Sequence, residues 1–118
     1  MAQVIEVRKS GIGTSAVVLT VTGVDNEVTV ALNGAEIAHL FGPPGFTSYS
    51  ENLTTKLIAG KPNVLVFTLV NYGDAEFNPA SCAAKLDIGT EEINLSASSG
   101  SVSVTQGLFA QTIVVLEL

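Results

Sequence analysis

Apolar residues recur at every second position along this chain, and that period sets what it can fold into. Val28, Val30 and Leu32 alternate with Thr29 and Ala31. Val64, Val66 and Thr68 interleave with Leu65, Phe67 and Leu69, and Val102 and Val104 alternate with Ser101, Ser103 and Thr105. A period of two places side chains on opposite faces of a strand, and branched Cβ atoms suit that pleated surface. No window of about a dozen residues keeps the i, i+3, i+4, i+7 stripe of a helix. The chain therefore reads as all-β.

Turn signals divide it at regular intervals. Gly11-Ile12-Gly13, Gly23 to Asn26, Asn33-Gly34, Gly42 to Gly45, Gly60 to Pro62, Asn71 to Pro79, Gly89-Thr90 and Ser98 to Gly100 punctuate the sequence. Between them lie strand candidates at 2–8, 15–22, 26–32, 35–40, 52–58, 63–70, 82–88, 91–97 and 108–118, with 101–105 as a further one. Asn33-Gly34 predicts a tight type I′ hairpin, because both residues tolerate positive φ. Short strands at this spacing, with no helix between them, predict a sandwich or a barrel. The 118 residues suit one domain spanning 1–118.

Composition removes whole classes of function. One Cys excludes an internal disulfide and a Cys-built zinc site. A net charge of −6, with only five Lys plus Arg, argues against a nucleic-acid partner, which needs a basic footprint. The longest apolar runs, 16–19, 64–67 and 113–116, are far shorter than the roughly 20 residues of a membrane-spanning helix. Met1 to Val7 carries neither a basic start nor a continuous apolar stretch, so no secretory signal is expected. The expected location is cytoplasmic, or outside the cell by a route without a cleavable signal.

Two long connections attract attention, His39 to Asn52 and Asn71 to Ser81. Loops of this length on a rigid sheet often carry function. Phe41, Phe46, Tyr49, Tyr72 and Phe77 fall within them, whereas Phe67 and Phe109 fall in strand candidates. A sugar site needs an aromatic ring against the apolar face of a pyranose and polar groups to grip its hydroxyls. Phe46 and Tyr49 on one loop, with Asn71, Tyr72, Asp74, Glu76 and Asn78 on the other, supply that mixture. The competing reading makes Phe41, Phe46 and Phe77 plugs at the ends of the sandwich.

The stretch Thr22-Gly23-Val24-Asp25-Asn26-Glu27-Val28-Thr29-Val30-Ala31-Leu32-Asn33-Gly34 resembles a strand pair of galactose-binding-like jelly-roll domains. The later stretch from Leu57 through Gly60 and Asn63 to Asn71 resembles a second one. The resemblance covers roughly residues 15 to 72. It implies an antiparallel jelly-roll β-sandwich of about 8–10 strands and a carbohydrate-binding or lectin-like role, or a supporting role beside a partner. The chain departs from the usual sugar-binding members in lacking Trp.

Catalysis has little to work with. His39 is the only imidazole, and the sequence around it suggests no orienting carboxylate. Cys82 opens an apolar run and reads as a buried small residue. Asp74 with Glu76, and Glu91 with Glu92, are the paired carboxylates, but spacing alone does not make a glycosidase cleft. Asp74, Glu76 and Asn78 place oxygen ligands at alternate positions, a pattern that suits Ca²⁺; no other cofactor is implied. Pro79 and Lys85 stand where an EF-hand needs Gly and Glu, so the loop is not an EF-hand.

The expectation is a non-enzymatic domain that binds a glycan or glycoconjugate. The alternative is a structural module that self-associates or docks on a protein partner; a small β-type toxin is a third reading. Only 14% of residues are charged, against about 25% in typical domains. Strand faces carry Thr, Ser and Ala where Lys would block pairing, which points to a homo-oligomer.

Overall fold

The structure is a computed structural model that describes residues 3–42, 48–71, 79–100, 104 and 106–118. The chain runs through β1 (Gln3–Lys9), β2 (Val17–Leu32), β3 (Ala35–Gly42) and β4 (Tyr49–Asn52). A single 3-10 turn at Thr54–Lys56 follows. Then come β5 (Asn63–Asn71), β6 (Ser81–Ile88), β7 (Glu91–Asn94), β8 (Ala97–Ser98) and β9 (Gly107–Leu116). No α-helix occurs among the described residues.

All the strands join one curled sheet, and β2 is its hinge. Residues 27–32 of β2 pair with β5 on one side and β3 on the other. Residues 17–21 of the same strand pair with β6 and β4. One half of the sheet therefore runs β3-β2-β5-β9-β1, and the other runs β4-β2-β6-β7, with β8 also on β6. Both halves feed one apolar core. Val17, Leu19 and Val21 meet Val28, Val30, Leu65, Phe67, Leu69, Leu86 and Val114 there.

The predicted turn at Gly23 to Asn26 is absent. The candidates 15–22 and 26–32 are one strand of 16 residues. The reason is a register shift between Val21 and Gly23 against β6. Before it the buried positions are odd, at Val17, Leu19 and Val21; after it they are even, at Val24, Val28, Val30 and Leu32. A bulge adds a residue to one strand and exchanges which side faces the core. The Asp25–Asn26 peptide within this stretch is cis.

Two further boundaries move for local polar reasons. The candidate 52–58 is not a strand: β4 lies earlier, and the chain turns at Thr54. The Asn52 side chain accepts the Thr54 N–H at 2.9 Å, and Thr54 Oγ1 accepts the Val17 N–H at 2.9 Å. These bonds offer the backbone an alternative to a ladder. The candidate 91–97 divides into β7 and β8. Ser96 Oγ accepts the Ala84 N–H at 3.0 Å, so a hydroxyl takes the place of a strand carbonyl.

The sheet is mixed, not purely antiparallel as expected. β1 and β9 run parallel, with Gln3 opposite Ala110 and Lys9 opposite Leu116. Parallel neighbours require a long crossover, and here the whole intervening chain provides it. The Asn33-Gly34 hairpin forms as expected, with φ of 51° and 83°.

Candidate functional site

Most of the predicted sugar-binding loop residues fall outside the described residues. Phe46, Tyr72, Asp74, Glu76 and Asn78 lie there, and with them the whole proposed Ca²⁺ set Asp74, Glu76 and Asn78. Phe77, one of the suggested plugs, lies there too.

Tyr49 and Asn71 are described, and each sits on a strand instead of a loop. Tyr49 opens β4, packs against the core, and donates its hydroxyl to the Glu51 carboxylate. Burial, and then the hydrogen bond and charge of Glu51, push its phenol up to about 12. Asn71 ends β5 fully buried, and its amide donates to the Val104 carbonyl at 2.9 Å. That bond ties the end of β5 to the segment before β9. Phe41 also belongs to a strand, β3, and is 50% exposed, so it plugs nothing.

His39 has orienting carboxylates after all. Glu27 of the neighbouring strand bonds its Nε2, and Glu36 lies 3.9 Å from its Nδ1. The Glu27 contact arises because β2 and β3 pair in register, with Thr29 opposite His39 and Glu27 opposite Phe41. The His39 ring tilts over Phe41 with centroids 4.4 Å apart. The sequence spacing of twelve residues hid this partner. The only described thiol, Cys82, is 7% exposed and donates toward the Leu95 carbonyl at 3.6 Å. Burial pushes it up from the ordinary thiol range, and the Ala97 backbone hydrogen bond opposes this. A buried protonated thiol is a poor nucleophile. Among the described residues no group of three or more His, Cys, Asp and Glu side chains is placed to hold a metal ion.

The outward faces of the two halves differ in chemistry. On the β4-β2-β6-β7 side, Thr20 stands beside Lys85 and Ser50, and Lys85 beside Asn94. Lys85 Nζ lies 3.4 Å from Asp87 and 4.0 Å from Glu92. A shallow groove of about 190 Å³ crosses this face, lined by Thr20, Thr22, Lys85, Glu92, Asn94 and Ser96 among others. Hydroxyl, amide and charged groups share it with the methyl groups of Ala83 and Ala84.

The β3-β2-β5-β9-β1 side is apolar at its centre. Val66 lies between Ala31 and Ile113, and Val64 lies beside Val115, which is itself buried. Thr68 lies between Thr29 and Gln111, whose amide donates to the Thr68 hydroxyl at 3.1 Å. Among the described residues, charge appears toward the rims, as Glu27, Glu36 and His39 at one side and Glu6 and Arg8 on β1 at the other. β1 itself exposes Val4 at 56% and Ile5 at 47%.

No known protein family matches this chain, and neither does any curated protein or solved structure. Among the described residues, no helix is long and apolar enough to cross a membrane.

Proposed function

We propose that this chain is a non-catalytic β-module whose role is assembly with further copies of itself. The observation that carries the reading is the uncharged centre of the β3-β2-β5-β9-β1 face, continued onto an edge strand that exposes Val4 and Ile5. Contiguous apolar surface with polar rims marks interaction sites, and long exposed edges invite pairing unless charge or bulges block it. Sedimentation across micromolar to millimolar protein tests it. Association beyond the 12.2 kDa monomer is expected; a monomer throughout that range overturns the proposal.

The fold proposed for this role is the galactose-binding-like jelly-roll sandwich. Its support is the shared core between the two halves and the position of both resembling stretches, on β2 with its Asn33-Gly34 hairpin and on the entry into β5. The parallel β1–β9 pair departs from a purely antiparallel version.

Carbohydrate binding is a second reading, favoured by the hydroxyl, amide and charged side chains along the groove around Thr20, Lys85 and Asn94. Sugars are held by hydroxyl, amide and carboxylate groups of this kind. A glycan array with and without Ca²⁺ decides it. Binding lost in Tyr72→Ala or Asp74→Ala supports the original loop site, binding lost in Thr20→Val supports the groove, and an array with no hit removes the reading.

A further inference from the structure

Among the described strand edges, β1 is the long and regular one left open. β4 and β7 have four residues each and β8 has two. β3 is longer, but a register shift between Val30 and Ala31 distorts its pairing with β2, and such a bulge discourages edge pairing. β1 keeps an unbroken register from Gln3 to Lys9 against β9 and, among the described strands, has no partner on its other side.

The ladder to β9 fixes which backbone groups point to that open edge. The Glu117 N–H donates to the Lys9 carbonyl at 2.9 Å, so Lys9 turns its backbone groups toward β9. In a parallel ladder every second residue does the same, here Val7 and Ile5. Val4, Glu6 and Arg8 therefore aim their N–H and C=O groups outward. Their side chains share the outer face with Gln111, Ile113 and Val115, their respective partners on β9.

We infer that two copies of this chain pair antiparallel along β1, with Val7 on the two-fold axis and Glu6 of each copy facing Arg8 of the other. This inference rests on the assembly reading above and names its interface. Isologous pairing of a strand with itself requires the outward groups of both copies to meet, so even residues must face even residues. Centring on Glu6 sets two carboxylates directly opposite each other. Centring on Arg8 sets two guanidinium groups opposite, and centring on Ile5 leaves Arg8 with no acidic partner. Centring on Val7 alone forms two opposite-charge pairs, and cross-strand charge pairs are favourable where like charges are not. It also sets Val7 against Val7 on the inner side, where each already packs on its own core. Lys9 falls opposite Ile5, and its methylene stem can cover that half-exposed side chain while its ammonium stays on Glu91 at 2.9 Å.

Among the described residues of the single chain, Glu6 and Arg8 pair only with each other, at 3.4 Å and with both side chains more than half exposed. Substituting them leaves the core untouched, which makes a charge exchange a fair test. Sedimentation is measured for the wild type, Glu6→Arg, Arg8→Glu and the double variant, with far-UV circular dichroism to confirm folding. Each single variant is expected to weaken the dimer by about tenfold, and the double variant to restore it. Oxidised Val7→Cys is expected to form a covalent dimer, since paired residues of this kind have Cα atoms about 4.5 Å apart. Arg8→Cys is not. Folded single variants that dimerise as the wild type does, or a double variant that fails to recover, overturn the register while an associating wild type leaves the assembly reading in place. A wild type that stays monomeric at millimolar concentration removes both.

Discussion

The side-chain amide of Asn33, in the β2–β3 hairpin, donates to the side-chain oxygen of Asn63, at the start of β5, over 2.9 Å. The two residues are thirty apart in sequence and lock the ends of neighbouring strands. Asn33 Oδ1 accepts the Val64 N–H at 2.8 Å. Asn63 is fully buried, accepts the Ile58 N–H at 2.8 Å, and returns an N–H to the Ile58 carbonyl at 2.9 Å. Asn63→Leu strands these groups without partners. Each unsatisfied buried group costs about 1–3 kcal/mol, so a loss of about 3 kcal/mol is expected by urea unfolding.

The glycine at the bulge and the glycine in the β6–β7 turn are expected to answer differently to alanine. A Cβ on Gly23 would meet the Ala83 Cβ at 3.6 Å, an ordinary contact. Gly23→Ala is therefore expected to change stability by less than about 0.5 kcal/mol. Gly89 has φ of +60°, where an L side chain is strained. Gly89→Ala is expected to cost about 1 kcal/mol or more, read as a lower melting temperature.

Tyr49 gives a pH signature. Its phenol ionises near 12 instead of 10.0, through burial first and then through Glu51. The fold favours the neutral phenol, so this contribution to stability is complete below about pH 10 and is lost as pH rises through about 12. Ultraviolet titration of a Tyr72→Phe background, which leaves Tyr49 as the only tyrosine, should show that late ionisation. Glu51→Gln should bring it down toward the ordinary value, and an unchanged midpoint would leave burial as the whole cause.

Cys82 gives a kinetic one. Its thiol, on β6, is buried and held above its ordinary range by that burial. Ellman's reagent is expected to label the native protein far more slowly than the protein in urea at the same pH. Equal rates would mean that the β6–β8 region opens readily.

The period-two pattern carried the strand content because alternation reports burial directly. Val64 to Leu69 illustrates this: odd residues fill the core, and the even positions of β5 form the outer face. Asn33-Gly34 was legible because its backbone requirement is local. What escaped the sequence was set by pairing. Val21 and Val24 look like the ends of two strands until β6 shows that Gly23 is a bulge within one. Glu27 looks remote from His39 until β2 and β3 align. The parallel partner of β1 lies at the other end of the chain, where no local signal reaches. Tyr49 and Asn71 were expected in loops because Gly and Pro clusters adjoin them; their strands begin or end at those very residues.

The parallel pairing of β1 with β9 also governs how the protein bears load. Gln3 lies at one end of that pair and Leu116 at the other. A force applied through these two points draws the strands past each other along their length. The hydrogen bonds between them are then strained together, in shear, instead of being peeled open one by one. Unfolding under force is a matter of rate, not of equilibrium stability. A domain tethered in this way resists extension well beyond what its melting temperature would suggest.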